Sequence, residues 1–343
     1  MAVKLNFSRH QLVELPAEVK HYECDAEIFE LDLSSNAFST SESLVGLPQN
    51  ITHIKLSDNE FNCSESEPLM LELPPSLVAL DLGRNHLKTW PGVEDLGKLQ
   101  ELRMDCNGLS ALPPVLPWPG LRTLHLDENN LESLPNAIGS LRQLRVLNLF
   151  HNRLRELPNE ICELSLLQKL NLNANELTEL PLRFGSMRSM RRLTMNDNCL
   201  VLLPDSIGNL KHLKVLHCNA NQLITLPISM AALENLAEFQ ADDNPDLYPE
   251  AAGAVLYPIP KAAADSNAGA DLHIACRVCG ADVSHGDVID AVAVGLLGRR
   301  RYPLHFEACS KSCGDRWKKA VANARTPPGG RPAAEGAPGI ASA

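Results

Sequence analysis

One short motif recurs along most of this chain and restricts its fold more than any other feature. The motif reads LxxLxLxxNxL, as in LRTLHLDENNL from Leu121 and LRVLNLFHNRL from Leu144. His10 holds the place of the motif asparagine in a first, imperfect copy, and the asparagine itself recurs at positions 36, 59, 85, 107, 129, 152, 175, 198, 221 and 244. Eleven copies at intervals of 22 to 26 residues predict an elongated solenoid of stacked repeats rather than compact domains.

Each position of the motif has a physical role. The alternating LxL predicts a short strand whose leucines point into a core, while the intervening residues face the other side. We expect the asparagine to hydrogen-bond backbone groups that have left the strand ladder, because buried backbone polar groups need partners. The second half of each unit, LPxxIxxLxxL, predicts a short helical or extended segment that begins near the proline and closes the core on the outer face. Strands stacked at about 4.8 Å per step give an inner surface about 48 Å long.

The 23-residue unit LPxxIxxLxxLxxLxLxxNxL resembles that of the intracellular Ras-suppressor and SHOC-type family of leucine-rich repeat proteins. The resemblance covers residues 1–247 and implies an α/β horseshoe of about eleven repeats with a parallel sheet on its concave side. That family consists of scaffolds and adaptors. The resemblance therefore implies an intracellular protein that binds a partner protein, for example in signal transduction by a small-GTPase complex.

The residues between the leucines, including Asp127 and Phe150, are predicted to lie on the exposed face of the strands, which is the predicted binding face. Phe150 is the outlier on this face, because its neighbours in the motif are mostly polar. It is either an anchor in a contact patch or a partly covered ring on a polar sheet, and the sequence leaves both interpretations open. The acidic group Asp105, Asp127 and Glu128 is either a site for a basic segment of a partner or only a solvated charged face. We predict that the partner contacts Arg103, His125, Asp127, Asn148, Phe150, His151, Asn171 and Arg192.

The repeat pattern stops at residue 247 and gives way to a region with clustered cysteines. Residues 248–272 are rich in alanine and proline, which is typical of a linker or an irregular cap. Two close cysteine pairs, CxxC and CxxxC, suit a tetrahedral zinc ion. We predict that residues 273–322 form a small zinc-finger-like module, in which a structural zinc supplies folding free energy. The predicted zinc ligands are Cys276, Cys279, Cys309 and Cys313.

The module resembles the zinc-finger-like C-terminal region of the leucine-rich repeat-containing protein 58 family. The shared features are the first cysteine pair followed by Gly280, the stretch RYPL from Arg301, a nearby histidine, and Cys309-Ser310 ahead of Cys313. That histidine, His305, is either a zinc ligand or a neighbour of the site. The resemblance implies a substrate receptor of a cullin-type ubiquitin ligase, with a short helical adaptor-binding box between repeats and finger. In this chain the corresponding stretch, residues 249–271, has no obvious amphipathic box.

The charge distribution restricts the other function classes. The chain has a formal net charge of −11, and residues 1–247 hold 20 Lys and Arg against 33 Asp and Glu. So acidic a body disfavours a large nucleic-acid-binding face, since phosphate binding needs clustered basic residues. Three arginines at 299–301 lie within the predicted zinc module. They leave a zinc-dependent nucleic-acid binder open as a minor alternative.

The sequence contains no catalytic motif that we could identify. It has no phosphate-binding glycine loop, no HExxH and no nucleophile elbow, so we predict that the protein is not an enzyme. The alternative is a thiol enzyme with Cys309 as nucleophile and His305 as base. Such an enzyme needs an accessible thiolate of low pKa, and about 50 residues leave little room for a catalytic domain.

The termini bear on location. The segment MAVKLNFSRHQLVELP lacks the charged start, the apolar core and the cleavage site of a secretory signal. The apolar run from Val288 to Leu297 contains Asp290 and is about half the length of a membrane span. We therefore expect a cytoplasmic protein with no membrane segment. Residues 323–343 are rich in proline, glycine and alanine, and we expect them to be disordered.

Overall fold

The computed structural model of this chain describes residues 3–20, 28–63, 69–93, 96–245, 247, 287–294 and 301–308. The chain divides into two units, Met1–Tyr248 and Pro249–Ala343. Within the described ranges, no helix has both the length and the apolar character needed to cross a membrane.

Eleven parallel strands, one from each repeat, form a single sheet in the described part of the first unit. Each strand pairs with the next one along the chain, so the spatial order follows the chain order. The strands are β1 (Val3–Asn6), β2 (Ile28–Asp32), β3 (His53–Lys55), β4 (Ala79–Asp81), β5 (Glu101–Arg103), β6 (Thr123–His125), β7 (Val146–Asn148), β8 (Lys169–Asn171), β9 (Arg192–Thr194), β10 (Val215–His217) and β11 (Glu238–Gln240). This arrangement confirms the predicted solenoid with its parallel sheet.

The middle residue of each three-residue strand points into the core. Leu102, Leu124 and Leu147 are almost completely buried, whereas the residues on either side of them are partly or fully exposed. The register pairs Leu102 with Leu124 and Leu124 with Leu147, so these side chains stack in one row. Burial of one such leucine contributes about 1.5–3 kcal/mol. The row of leucines therefore makes neighbouring repeats depend on one another for stability.

The motif asparagine ties each repeat to the one before it. The buried Asn152 uses its Nδ2 to donate hydrogen bonds to the carbonyl oxygens of Leu126, Leu149 and Phe150, at 2.9, 3.3 and 3.4 Å. Its Oδ1 accepts the backbone N–H of Leu131 at 3.0 Å. The equivalent Asn198 makes the same four kinds of contact. The expectation that the asparagine serves the backbone, rather than a ligand, is confirmed.

The residue before the motif asparagine, or before His10 in the first repeat, has a positive φ in every repeat of the sheet. A left-handed conformation costs a non-glycine residue roughly 1–2 kcal/mol, so the asparagine hydrogen bonds that hold the turn must offset this cost. The consequence is a sharp change of chain direction directly after each strand. The residues concerned are Arg9, Ser35, Asp58, Arg84, Cys106, Glu128, His151, Ala174, Asp197, Ala220 and Asp243.

The outer side of the repeats carries 3-10 turns. Four of them directly follow a proline, whose fixed φ suits the start of a helical turn. The 3-10 segments are Ser41–Leu44, Asn136–Ser140, Asn159–Glu163, Phe184–Ser186, Asp205–Asn209 and Ile228–Ala232. Among the described residues the one α-helix is α1 (Ala17–Lys20), and the two-residue strands are Asn62–Cys63, His86–Leu87 and Leu226–Pro227. As the predicted α/β class requires, the parallel strands are joined by crossover segments. In the described residues, however, these segments contain 3-10 turns and little α-helix, because a 23-residue unit leaves room for little more than one outer turn.

The described residues of the second unit are two antiparallel strands, β12 (Asp287–Val294) and β13 (Arg301–Ala308). Asp287 lies opposite Ala308, and Val294 lies opposite Arg301. The predicted linker 248–272 and tail 323–343 lie outside the described residues. The same is true of the predicted zinc ligands Cys276, Cys279, Cys309 and Cys313.

Replacement of Asn152 by alanine removes all four of its hydrogen bonds and leaves the buried Leu131 N–H without a partner. The three carbonyl oxygens that Asn152 binds each keep a second donor, from Asn129, Asn175 and the Glu128 N–H. The unpaired N–H costs about 1–3 kcal/mol and the lost shared hydrogen bonds add to it, so we expect the free energy of unfolding to fall by about 2–4 kcal/mol. Chemical denaturation of the full chain measures this loss. Asn130→Ala is the control, because the Asn130 side chain makes no hydrogen bond to another described residue. Equal losses in both variants would contradict the structural role.

Candidate functional site

The exposed face of the sheet is the candidate functional site. The register aligns Arg103 with His125, His125 with Asn148, and Asn148 with Asn171. These four predicted residues therefore form one continuous row across β5 to β8. At about 4.8 Å per strand the row spans about 14 Å.

Asp127 connects two members of this row. Its Oδ1 accepts a hydrogen bond from Asn148 Nδ2 at 2.6 Å and lies 3.6 Å from His125 Nδ1. Asn148 Oδ1 in turn accepts the backbone N–H of Phe150 at 3.3 Å. Because these side chains hold one another in place, a partner meets polar groups that are already oriented, and less conformational entropy is lost on binding.

The prediction that Asp127 and Phe150 belong to the strands is wrong. β7 ends at Asn148, and Phe150 lies two residues later, in the turn where His151 has a φ of 54°. The Phe150 carbonyl accepts both the Glu128 N–H of the preceding repeat at 2.8 Å and Asn152 Nδ2 at 3.4 Å. The Phe150 ring is half-buried, and its centroid lies 5.7 Å from that of the exposed His151 ring. One side of the phenylalanine is thus covered while another remains open to solvent.

Asn171 and Arg192 lie in different rows. Asn171 belongs to the row described above, and its Oδ1 accepts hydrogen bonds from Thr194 Oγ1 at 3.0 Å and from the Asn173 N–H at 3.1 Å. The exposed Arg192 is the first residue of β9 and pairs with Lys169, at the opposite end of the strands. The structure therefore gathers seven of the eight predicted residues at the ends of β5 to β8 and separates Arg192 from them.

Sequence reasoning missed a second asparagine ladder on this side of the sheet. The Oδ1 atoms of Asn173, Asn196 and Asn219 accept the N–H groups of Asn196, Asn219 and Asp242, at 2.8, 2.8 and 2.7 Å. These amide oxygens are therefore occupied and offer fewer free acceptors than the composition suggests. The signal that could have revealed the ladder is the recurrence of asparagine at intervals of 23 residues, two positions before the motif asparagine.

Carboxylates cluster beside the row at Asp81, Asp105 and Asp127. Burial raises the pKa of Asp105, the charges of Asp127 and Asp81 raise it further, and His125 lowers it. This part of the site is consequently electronegative. The acidic group predicted from the sequence therefore includes Asp81 from the neighbouring strand as well.

The first strands carry a network of alternating charges that the sequence analysis did not identify. Glu30 lies 2.5 Å from the ammonium groups of both Lys4 and Lys55, and Lys55 is also 3.9 Å from Asp32. Hydrogen bonds from Lys4 and Lys55 lower the pKa of Glu30 to about 2, against the effect of burial. Since these charges neutralise one another, the face around β5 to β8 is the more available one for a charged partner.

Two thiols of the repeats, Cys106 and Cys218, are poorly suited to nucleophilic chemistry. Cys218 is fully buried in the core, and burial raises its pKa to about 12. Burial and the neighbouring Glu128 raise the pKa of Cys106 to about 12 as well. Across the ranges that the structure describes, no group of three or more His, Cys, Asp or Glu residues is arranged to hold a metal ion.

Comparison with known proteins agrees with this fold. Residues 97–154 match the sequence model of the family described as leucine rich repeat. A solved leucine-rich repeat protein of Leptospira interrogans is 27% identical, with a TM-score of 0.52 over 67% of this chain and 70% of its own. The leucine-rich repeat protein FLRT2, solved in an octameric complex with Latrophilin 3 and Unc5D, has a TM-score of 0.55 at 22% identity, covering 70% of this chain and 81% of its own.

A curated relative matches a shorter stretch. Toll-like receptor 2 type-1 of Gallus gallus is 27% identical over 129 residues, which is 38% of this chain. The match spans only 15% of the receptor. Together the comparisons and the eleven-stranded sheet assign this chain the leucine-rich repeat solenoid fold.

The ion pairs of Glu30 with Lys4 and Lys55 predict that the free energy of unfolding depends on pH. A carboxylate whose pKa falls from 4.5 to about 2 on folding stabilises the native state fully above about pH 5, and the contribution disappears as the pH falls towards 2. The Lys4 and Lys55 side chains are 68% and 45% exposed, so we expect a screened contribution on the order of 1–2 kcal/mol. Compared with the wild type, Glu30→Gln should have a free energy of unfolding that is lower by this amount at pH 7 and nearly the same near pH 2.

Urea denaturation of both proteins across this pH range measures the difference. Glu14→Gln is the control, because the Glu14 side chain is 71% exposed although it also pairs with a lysine, Lys20. A Glu30→Gln effect that is independent of pH would contradict the ionic origin of the contribution.

Proposed function

We propose that this chain is a protein-interaction scaffold or adaptor that binds a partner protein on the exposed sheet face, around the row from Arg103 to Asn171. The supporting observation is the set of pre-oriented polar side chains beside the half-buried Phe150 ring. Proteins with this fold generally mediate protein–protein interactions, and the structural relative FLRT2 was solved within a multiprotein complex. The described residues offer no catalytic constellation, which is consistent with a binding role.

The proposed interface has the anatomy of a protein contact. A standard interface covers about 800 Å² per partner. The sheet, about 48 Å by about 10 Å, provides such an area only together with the turns that follow its strands. Phe150 supplies an apolar anchor. Asn148, which accepts the Phe150 N–H, is joined to Asp127 and His125 in one polar group, and energetically dominant contacts commonly have such polar neighbours. The carboxylates of Asp81 and Asp105 suit a basic segment of the partner, because complementary charge speeds encounter and excludes wrong partners.

The C-terminal cysteines support a second part of the proposal, a structural zinc ion bound by Cys276, Cys279, Cys309 and Cys313. Four thiolates make a closed tetrahedral donor set, which is typical of structural rather than catalytic zinc. The described strands β12 and β13 pair antiparallel, with Asp287 opposite Ala308. In the sequence, Cys279 precedes Asp287 by eight residues and Cys309 directly follows Ala308.

More specific functional assignments depend on the families that the repeat unit and the cysteine module resemble. The repeat unit favours a cytoplasmic small-GTPase signalling complex, and the cysteine module favours a substrate receptor of a cullin-type ubiquitin ligase. A zinc-dependent nucleic-acid binder is the remaining alternative, supported by the arginines at 299–301. Identification of the captured partner separates these three.

We expect the double variant Phe150→Ala, His125→Ala to bind the partner at least about tenfold more weakly, since loss of a central anchor costs about 2 kcal/mol. Quantitative capture from a cell extract by the immobilised full chain, followed by mass spectrometry, measures the effect. The control is Leu182→Ala, His212→Ala, which removes similarly large exposed side chains outside the sheet face; Leu182 is 79% exposed. Retention of every partner by the first variant would remove this site from the proposal.

We expect one zinc ion per chain in the purified protein and none in the Cys276→Ser, Cys309→Ser variant, because each close pair loses a ligand. Elemental analysis of the metal content is the measurement. Cys106→Ser, Cys199→Ser should keep its zinc, since both residues belong to the repeats. A wild-type chain without zinc would contradict the module.

A further inference from the structure

In the middle repeats, basic residues lie mostly where the strands of the sheet begin, and acidic residues lie mostly where the strands end. All strands are parallel, so their beginnings lie along one edge and their ends along the other. The segments 97–101, 119–123, 142–146, 165–169, 188–192 and 211–215 lead into β5 to β10 and hold ten Lys or Arg but one Asp or Glu. We call this the basic edge; its cations are Lys98, Arg122, Arg142, Arg145, Lys169, Arg188, Arg191, Arg192, Lys211 and Lys214.

The opposite edge has the reverse composition. The turn segments 105–111, 127–133, 150–156, 173–179, 196–202 and 219–225 follow the same strands and hold eight Asp or Glu against two Lys or Arg. Those two are Arg153 and Arg155, and Arg155 pairs with Glu176 at 3.2 Å. We call this the acidic edge. A basic row along one side of a chain with a net charge of −11 is therefore a local arrangement and not a product of overall composition.

The basic edge is continuous. Backbone hydrogen bonds of 2.8 to 2.9 Å link Arg145 to Arg122, Gln168 to Arg145, Arg191 to Gln168 and Lys214 to Arg191. These residues are direct neighbours in adjacent repeats, and four steps of about 4.8 Å give a row about 19 Å long. The rows on either side add further cations at the same spacing.

Most of these cations have no anionic partner among the residues that the structure describes. Arg122, Arg145, Arg191 and Lys214 are exposed, and none forms an ion pair with another described residue. Within the basic edge, Arg142 pairs with Glu163 at 3.2 Å, and Lys211 donates to a backbone carbonyl. The hydrogen-bonding capacity of the four exposed cations without an ion pair is therefore available to an external anion.

An open recess of about 420 Å³ lies at the first end of the basic edge. Lys98 and Arg122 line it together with the amides of Gln100 and Gln143. Gly97 and Gly120 form part of its wall, and no atom lies within 4 Å of the position that a Gly97 Cβ would take. The recess thus combines two cations with two amide donors, which suits carboxylate groups.

The width of the basic edge favours a single extended chain. Five residues of extended backbone separate Arg145 from Phe150, which is about 17 Å, and the carboxylates of the acidic edge begin there. An extended peptide occupies about 4.8 Å, the spacing of neighbouring strands. A nucleic-acid duplex, whose major groove alone is about 12 Å wide, would place its second strand of phosphates towards those carboxylates.

The residues of the basic edge also disfavour single-stranded nucleic acid. The six segments contain no Phe, Tyr or Trp. Proteins that bind single strands usually stack bases on aromatic rings. Arginine forks bind carboxylates in a bidentate manner without any such ring.

We propose that the basic edge binds an extended acidic protein segment, rich in Asp and Glu, at a surface separate from the sheet face of the proposed function. The Arg122, Arg145, Arg191 and Lys214 row holds the carboxylates of the segment. The recess beside Lys98 receives one end of it. At about 3.3 Å per residue, seven or eight residues of extended chain cover the edge from Lys98 to Lys214.

Fluorescence anisotropy with a labelled twelve-residue peptide of alternating Glu and Asp tests the proposal on the full chain. We expect Arg145→Glu, Arg191→Glu to weaken binding about tenfold or more, because two attractive contacts become repulsive. The matched control is Arg84→Glu, Arg153→Glu, which makes the same change of net charge with two exposed arginines of the turns. It should stay within about twofold of the wild type. A peptide of alternating Gln and Asn should not bind.

Three outcomes would overturn the proposal. Equal weakening by both charge-reversal variants would mean that the peptide responds to net charge alone. Unchanged binding by Arg145→Glu, Arg191→Glu would place the peptide elsewhere on the chain. Tighter binding of a twelve-nucleotide oligothymidylate or a twelve-base-pair duplex, lost in the same variant, would assign the edge to nucleic acid. Retained peptide binding by Phe150→Ala, His125→Ala would show that the edge acts independently of the sheet face.

Discussion

The buried asparagine of each repeat is the interaction on which the rest of this structure depends. Each strand is only about three residues long, so the chain must leave the ladder almost as soon as it enters it. The asparagine fixes this turn: the Asn152 amide donates to the carbonyls of Leu126, Leu149 and Phe150, and its oxygen accepts the Leu131 N–H. The residue before it has a positive φ. The asparagine thus holds each turn, while the backbone pairing of the strands sets the spacing of the leucine rows.

Much of the fold could be predicted from the sequence because these constraints recur. The leucine rows, the asparagine contacts and the number of strands follow from a period that repeats eleven times. The helix content could not be predicted as well, since LPxxI is compatible with several short backbone conformations. The structure resolves it as 3-10 turns. The cysteine module occurs once, so no internal repetition supports its prediction.

The candidate site was predicted in part for the same reason. The row from Arg103 to Asn171 follows from the register of identical repeats. The position of Phe150 does not, because periodicity places a residue in a row but does not say where the strand ends. The hydrogen bonds of Asp127, Asn148 and the second asparagine ladder depend on individual side chains. The sequence pattern does not reveal such hydrogen bonds between polar side chains; the three-dimensional structure does.

The contrast between the first strands and the middle repeats bears on the meaning of the charges. In β1 to β3, the adjacent Lys4, Glu30 and Lys55 alternate in sign and pair closely, which is the arrangement that stabilises a sheet. The middle repeats align like charges instead, with Arg122, Arg145, Arg191 and Lys214 along one edge. Like charges on neighbouring strands destabilise the native state, and neither the leucine rows nor the asparagine turns require them. A bound anionic segment removes this repulsion, so the same feature that weakens the isolated solenoid strengthens its complex.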